Sequence, residues 1–304
     1  MRSKVWIAVV AVLLVLSMVG GGIAASVNRK NREAETTTKG EETPEKKPGG
    51  KEEPGTKASD ETTTEPVTDE STTEEPETKE TETKNIDKSK PMVALTFDDG
   101  PYEGKTDVIL DILEEHPGAA VTFFELGDRM LKYPDIIRRE EELGSEVGAH
   151  SYGHRRLTEL TADQIAEDFK KQQKVFQEIL GHDMTVYRPP YGKMNADVHA
   201  QIKAPLIIWT VDTKDWSHDN AQKLIETFKK EGANGMLDGK VVLMHSTKDS
   251  TVEAMKTVVP WLIDEGYQLV TVTDLARYGY DTEMKAGKDY GYKFFTGLGA
   301  AKQE

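Results

Sequence analysis

Residues 92–101, MVALTFDDGP, decide the reading of the fold. Met92 to Phe97 form a short apolar run, and Asp98-Asp99-Gly100-Pro101 closes it with two carboxylates and a turn. Adjacent carboxylates beyond a buried strand repel each other and need a cation or a proton to coexist. In isolation, Asp-Gly is also ordinary turn chemistry. Similar short runs follow at Ala119–Phe124, Glu146–Ala149, Thr185–Arg188, Leu206–Trp209, Val241–Met244 and Gln268–Val272, several of them rich in β-branched residues. They alternate with longer amphipathic segments. Thr106–Glu115 places Val108, Ile109, Ile112 and Leu113 on one face. Thr161–Leu180 opens with Thr161 and Gln164, a capping-box pattern, and then repeats apolar residues at Ile165, Phe169, Val175, Phe176 and Ile179. Asn220–Glu231 and Val252–Glu265 are similar.

Alternating strand and helix implies right-handed βαβ units and a parallel sheet. Seven strands are compatible with an incomplete barrel or with an open doubly wound sheet. In a β/α barrel, chemistry sits where strands end at the carboxyl face. The polar residues here follow that rule. Asp98 and Asp99 end the first run, His150 follows the third, and Arg188 ends the fourth. Asp212 and Asp215 follow the fifth, and His245 follows the sixth.

Each cluster has a plain reading and a chemical one. His150-Ser151-Tyr152-Gly153-His154 places two imidazoles four residues apart. On a helical turn both rings share a face and can address one metal. With an Asp from a neighbouring strand end, the set is one carboxylate and two imidazoles. Such a set leaves metal positions open for water and substrate. In Arg188-Pro189-Pro190-Tyr191-Gly192 the prolines fix a turn. It reads as a stiff loop with a surface Arg, or as an Arg aimed inward at a carboxylate with exposed backbone N–H groups beyond. Asp212-Thr213-Lys214-Asp215-Trp216 offers a carboxylate beside an indole, though Trp216 also suits a core.

Taken in order, TFDDGP, HSYGH, RPPYG, DTKDW and LMH, with AVTFFELGDRM between the first two, resemble the five motifs of the polysaccharide deacetylase family (NodB homology, carbohydrate esterase family 4). The resemblance covers about Pro91 to Tyr280. It implies a distorted (β/α) barrel of about seven parallel strands and a metal-dependent deacetylase. Carried over residue by residue, it makes Asp98 the catalytic base and Asp99, His150 and His154 the metal ligands. It has Arg188 orient Asp98, the Tyr191 backbone N–H receive the oxyanion, and Asp215 tune His245 as general acid. Trp216 and Leu243 would line the acetyl pocket. Ser246 stands where many members carry Asp, a position outside the ligand set. Mixed Asp/His ligation suits zinc, with cobalt, nickel and manganese as alternatives.

The flanks suggest where such a domain works. Val5–Val27 is almost wholly apolar and long enough for a membrane-crossing helix. Gly22-Ile23-Ala24 also fits a signal-cleavage site. The expectation is residues 1–27 as an uncleaved single-pass anchor in a bacterial cell membrane, with the rest outside; cleavage would make the protein secreted. Asn28–Lys90 has no aromatic residue, no Leu and no Met, and carries 12 basic and 18 acidic residues. It cannot bury enough apolar surface to offset the entropy of ordering, so it is predicted to be a disordered tether. Residues 91–280 are the expected catalytic domain and 281–304 a tail beyond the resemblance. From Pro91 onward the net charge is −11, which argues against nucleic acid or anionic lipid as the main partner. No cysteine occurs, so stability must come from the core alone and a lipoprotein anchor is excluded. An anchored, tethered head points to acetylated wall polysaccharide, chiefly the N-acetylglucosamine of peptidoglycan, with no protein partner implied. An acetylxylan esterase or chitin deacetylase is the alternative. A non-catalytic wall-binding barrel is a further one.

Overall fold

The computed structural model describes residues 86–232 and 235–298. The expected anchor and nearly all of the expected tether lie outside these residues. In chain order the elements are β1 (Met92–Gly100), α1 (Thr106–Glu114), β2 (Thr122–Glu125), α2 (Gly127–Lys132), α3 (Pro134–Glu142), β3 (Glu146–Ala149), α4 (Ala162–Leu180) and α5 (Ala196–Gln201). They continue with β4 (Leu206–Ile207), β5 (Val211–Asp212), α6 (Ala221–Gly232), β6 (Lys240–His245), α7 (Asp249–Asp264), β7 (Gln268–Leu269) and β8 (Asp289–Tyr290).

The protein is α/β with parallel ladders in the order β3-β2-β1-β6-β5; β7 pairs with the start of β1. Parallel strands need crossover connections, and the helices that supply them cover the sheet. Hence β1, at the centre, is apolar on both faces. Val93, Leu95 and Phe97 point into a cluster with Ile109 and Leu113 of α1 and Met255 and Leu262 of α7. Met92 and Ala94 point the other way, toward Phe124, Val186, Ile207 and Val241. The same alternation sends Thr96 and Asp98 to that second face, where both meet Arg188. Phe97 stacks on Phe123 at 5.3 Å, and truncating a core Phe of this kind costs about 3–5 kcal/mol.

Five of the seven expected strand runs contain a strand of the parallel sheet, and Leu206–Trp209 contains β4. Thr185–Arg188 joins by isolated bridges alone, Tyr187 to Ala149 on one side and to Leu206 on the other. The prolines at 189 and 190 have no N–H with which to extend that pairing. Among the described residues the continuous ladders form an open path, and the bridges at Tyr187 carry the pairing on from β3 to β4. The expected helices are present, and α4 begins with the capping box: Thr161 Oγ1 accepts from the Gln164 N–H at 3.3 Å, and Gln164 Oε1 accepts from the Thr161 N–H at 3.0 Å. No helix among the described residues is long and apolar enough to cross a membrane.

Two stretches beyond the expected domain pack against it. β8 pairs with β4, and Tyr290 and Phe295 are buried. At the other end Ile86 packs against the same cluster, and Asp87 exchanges two hydrogen bonds with Gln268.

Candidate metal and catalytic centre

The carboxyl ends of β1, β3, β5 and β6 surround a cavity of about 380 Å³ lined by Asp98, Asp99, His150, His154, Tyr191, Trp209, Asp212, Trp216, Leu243 and His245. Strand polarity brings them together, because parallel strands end on one rim. Several rim residues have positive φ without being glycine: Asp99 (70°), Ser151 (69°), His154 (56°), Tyr191 (60°) and Lys214 (58°). Such backbone costs energy and persists where the surroundings over-determine it, typically at functional sites.

Asp98 and Asp99 are neighbours in sequence with unlike surroundings. Asp98 is 3% exposed, and its Oδ1 accepts from Arg188 Nη1 at 2.7 Å. Arg188 is itself fully buried; it also donates to Thr96 Oγ1 at 2.7 Å and to the Ile207 carbonyl at 3.3 Å, and lies 4.0 Å over the Phe124 ring. Of the two sequence readings, the inward Arg is the observed one. Removing either partner of a buried pair strands a charge and costs about 3–5 kcal/mol.

Asp99 turns into a second cluster. Its Oδ1 lies 3.4 Å from His150 Nε2 and 3.2 Å from His154 Nε2. His150 Nδ1 is 2.7 Å from the Arg188 carbonyl, which only accepts, so Nδ1 carries a proton and, in the neutral ring, Nε2 presents its lone pair to Asp99. Burial lowers the pKa of His154, which also favours its neutral ring. Asp99 Oδ1 is buried with no hydrogen-bond partner among the described residues. Lone pairs facing an anionic oxygen repel unless a cation sits among them. These residues therefore fit a divalent ion, and they are the one Asp/His group of that kind among the described residues.

The two histidines do not share a helical turn. Residues 150–154 form an irregular bend, and positive φ at Ser151 and His154 brings the rings to 5.1 Å. The bend is held from outside: the Gly127 and Asp128 N–H groups donate to the Ser151 and Tyr152 carbonyls, and Asp168 of α4 accepts from the Tyr152 N–H at 3.0 Å.

On the far side of the cavity Asp215, fully buried, has every oxygen engaged. Its Oδ1 meets His245 Nδ1 at 2.8 Å, and its Oδ2 accepts from the His245 N–H and the Thr251 hydroxyl, both at 2.7 Å. Burial lowers the His245 pKa, but the hydrogen bond and charge of Asp215, helped by Asp98 and Asp99, override it and raise the ring to about 8. Trp216 is 56% exposed at the mouth, and its Nε1 donates to Asp212 at 3.3 Å; Leu243 is buried in the floor.

Trp209, Thr96 and Thr251 were not singled out from the sequence as site residues. Trp209 carried the one available signal, an aromatic at the end of an expected strand. Its indole packs so closely on Gly192 (φ 62°) that a Cβ there would lie 2.8 Å from the ring. A larger groove of about 910 Å³ lies at the start of β3, but its half-buried Glu146 is already satisfied by Thr122, Thr185 and Thr273.

This arrangement has counterparts in known proteins. The polysaccharide deacetylase family model matches residues 85–206. A peptidoglycan-N-acetylglucosamine deacetylase of Bacillus cereus is 32% identical over 197 residues, covering 62% of this chain and 69% of that protein. The chain belongs to the polysaccharide deacetylase family. A peptidoglycan-N-acetylglucosamine deacetylase of Listeria monocytogenes is 36% identical over 203 residues, 67% of this chain and 42% of the relative. The chain thus spans less than half the length of that Listeria protein. The solved structure of a peptidoglycan deacetylase from Bacillus subtilis superposes with a TM-score of 0.61 at 34% identity, covering 64% of this chain and 95% of that one. Among polysaccharide deacetylases, then, the chain is similar to ones named for peptidoglycan.

Proposed function

We propose that residues 91–280 form a metal-dependent hydrolase that removes N-acetyl groups from cell-wall glycan, with the N-acetylglucosamine of peptidoglycan as its unit. The observation that carries this is the convergence of three groups on one cavity: Asp98 with Arg188, Asp99 with the histidine pair, and His245 with Asp215. The relatives' names point to the same substrate. In this reading the curved sheet is the wall of a distorted barrel.

Asp99, His150 and His154 would hold the ion, for which we propose zinc. When bound, it supplies Lewis-acid polarisation of the acetyl carbonyl and makes a nearby water more acidic. Asp98, oriented by Arg188, accepts the proton of the attacking water. The Tyr191 N–H, at the strained turn after Pro190, stabilises the oxyanion. His245, protonated and fixed through Nδ1 by Asp215, gives the proton of Nε2 to the departing amine. Water and amide become acetate and amine; the proton Asp98 took is lost to solvent and His245 takes one back, which resets both groups. Leu243 and Trp216 shape the space for the acetyl methyl.

The setting is part of the proposal: residues 1–27 anchor the chain in the membrane, residues 28–90 tether it, and the domain works outside the cell. The test is acetate release by metal-stripped protein, with and without restored zinc, from purified peptidoglycan, N-acetylglucosamine oligomers and acetylxylan. The expected result is zinc-dependent acetate from peptidoglycan. Zinc-independent release, or release from acetylxylan alone, would overturn the reading.

A further inference from the structure

Arg156 has no part in the chemistry described so far. Its guanidinium carbon lies 4.4 Å over the ring of Tyr191, which lies 4.7 Å from the ring of His154 and lines the cavity. A cation therefore stands beside the cavity, stacked on a ring of its lining and one aromatic ring out from the expected metal ligands. Its platform is preorganised. Pro189 and Pro190 fix the turn that carries Tyr191, and the cation–π contact holds the guanidinium against its ring. Nε pairs with Glu159 at 3.2 Å; the terminal nitrogens make no hydrogen bond among the described residues, and the side chain is 40% exposed. The domain around it is strongly acidic, so this positive charge stands against the general field.

A guanidinium held on a ring with its terminal nitrogens open is suited to a carboxylate, which it grips with two parallel hydrogen bonds. Chitin and acetylxylan backbones present no carboxylate at this distance from an acetyl group. A peptidoglycan strand does, because the sugar beside each N-acetylglucosamine is a muramyl residue. That sugar bears a lactyl carboxylate, or the carboxylates of the peptide stem attached there. At the other end of the ladder path, beyond β5, the cavity wall is Asp212 and Trp216, and Asp212 would repel such a group.

We infer that Arg156, stacked on Tyr191, is a specificity-determining residue that binds a carboxylate borne by the muramyl sugar next to the reacting unit. This rests on the proposed deacetylase reading. The experiment compares the zinc-loaded protein with Arg156→Gln and Arg156→Lys on three substrates: a neutral N-acetylglucosamine tetramer, a stem-free glucosaminyl-muramyl tetrasaccharide, and the same tetrasaccharide with stems. For Arg156→Gln, preference for the anionic substrates over the neutral tetramer should fall about three- to tenfold, the worth of a partly exposed charged contact. The loss should sit in KM rather than kcat, and Arg156→Lys should recover part of it. A fall with the stem-free substrate assigns the lactyl carboxylate; a fall only with stems assigns the peptide. An unchanged preference in Arg156→Gln, or an equal loss on all three substrates, overturns the inference and leaves the deacetylase reading standing. Wild-type protein inactive on every substrate would sink both.

Discussion

The two walls of the cavity are built on opposite terms. Around Asp215 the network is complete: each carboxylate oxygen is matched by a donor from His245 or Thr251, and the result is a ring held charged to about pH 8. Around Asp99 the network is left open. One oxygen and two imidazole nitrogens converge with no proton donor to reconcile them, on backbone held at positive φ. Unpaired buried polar groups are costly, so an open cluster this close to a closed one marks the place where something outside the chain completes the structure. A filled network tunes a proton; an unfilled one takes an ion.

The largest effect should come from breaking the open wall. His150→Ala or His154→Ala should lose bound zinc and turnover together while circular dichroism stays as in the parent, because three ligands leave no spare. Stoichiometric zinc with near-normal turnover in either variant would remove the ligand assignment. The contrast sharpens at the adjacent carboxylates. Asp98→Asn should keep its zinc and lose turnover by about 10²–10⁴-fold, the usual span for a general base. Asp99→Asn should weaken zinc binding, seen as a lost zinc-induced rise in Tm. Equal zinc loss in both would erase the division between them.

On the closed wall, His245→Ala should cost more on an amide than on an activated ester, since an amine leaves poorly without a proton. Equal losses on the two would deny it the role of acid. The smallest effect is a displaced pH profile. His245 donates while protonated, so the rate should fall as pH rises through about 8. Replacing the Asp215 carboxylate removes the interaction that holds the pKa up, so Asp215→Asn should move that alkaline limb to lower pH at unchanged zinc content. A limb that stays in place would break the pairing.

Much of the site was legible because it is written at strand ends. β1 is apolar on both faces until Asp98, and a buried strand that stops on carboxylates announces a rim. The histidine pair was legible by composition but not by conformation: its spacing fits a helical turn, whereas the real bend depends on α2 and α4 packing from outside. β5 and β8 were missed because Val211-Asp212 and Asp289-Tyr290 lie outside any apolar run, and they pair only where β6 and β4 present an edge. Thr251 sits in α7 and reads as an ordinary helix residue until that helix packs beside Asp215.

The sequence alone determined what acts over a few residues: the apolar alternation that buries β1, the Thr161–Gln164 cap that starts α4, and the scarcity of apolar residues over 28–90. These interactions span neighbours along the chain, so the local pattern contains them. Tertiary structure decided which of two adjacent carboxylates meets an arginine 90 residues away and which is left for a metal. It also decided that Arg156 stands over Tyr191, whose ring lines the cavity. Those outcomes depend on where distant backbones come to rest when the core packs, and no local period encodes that.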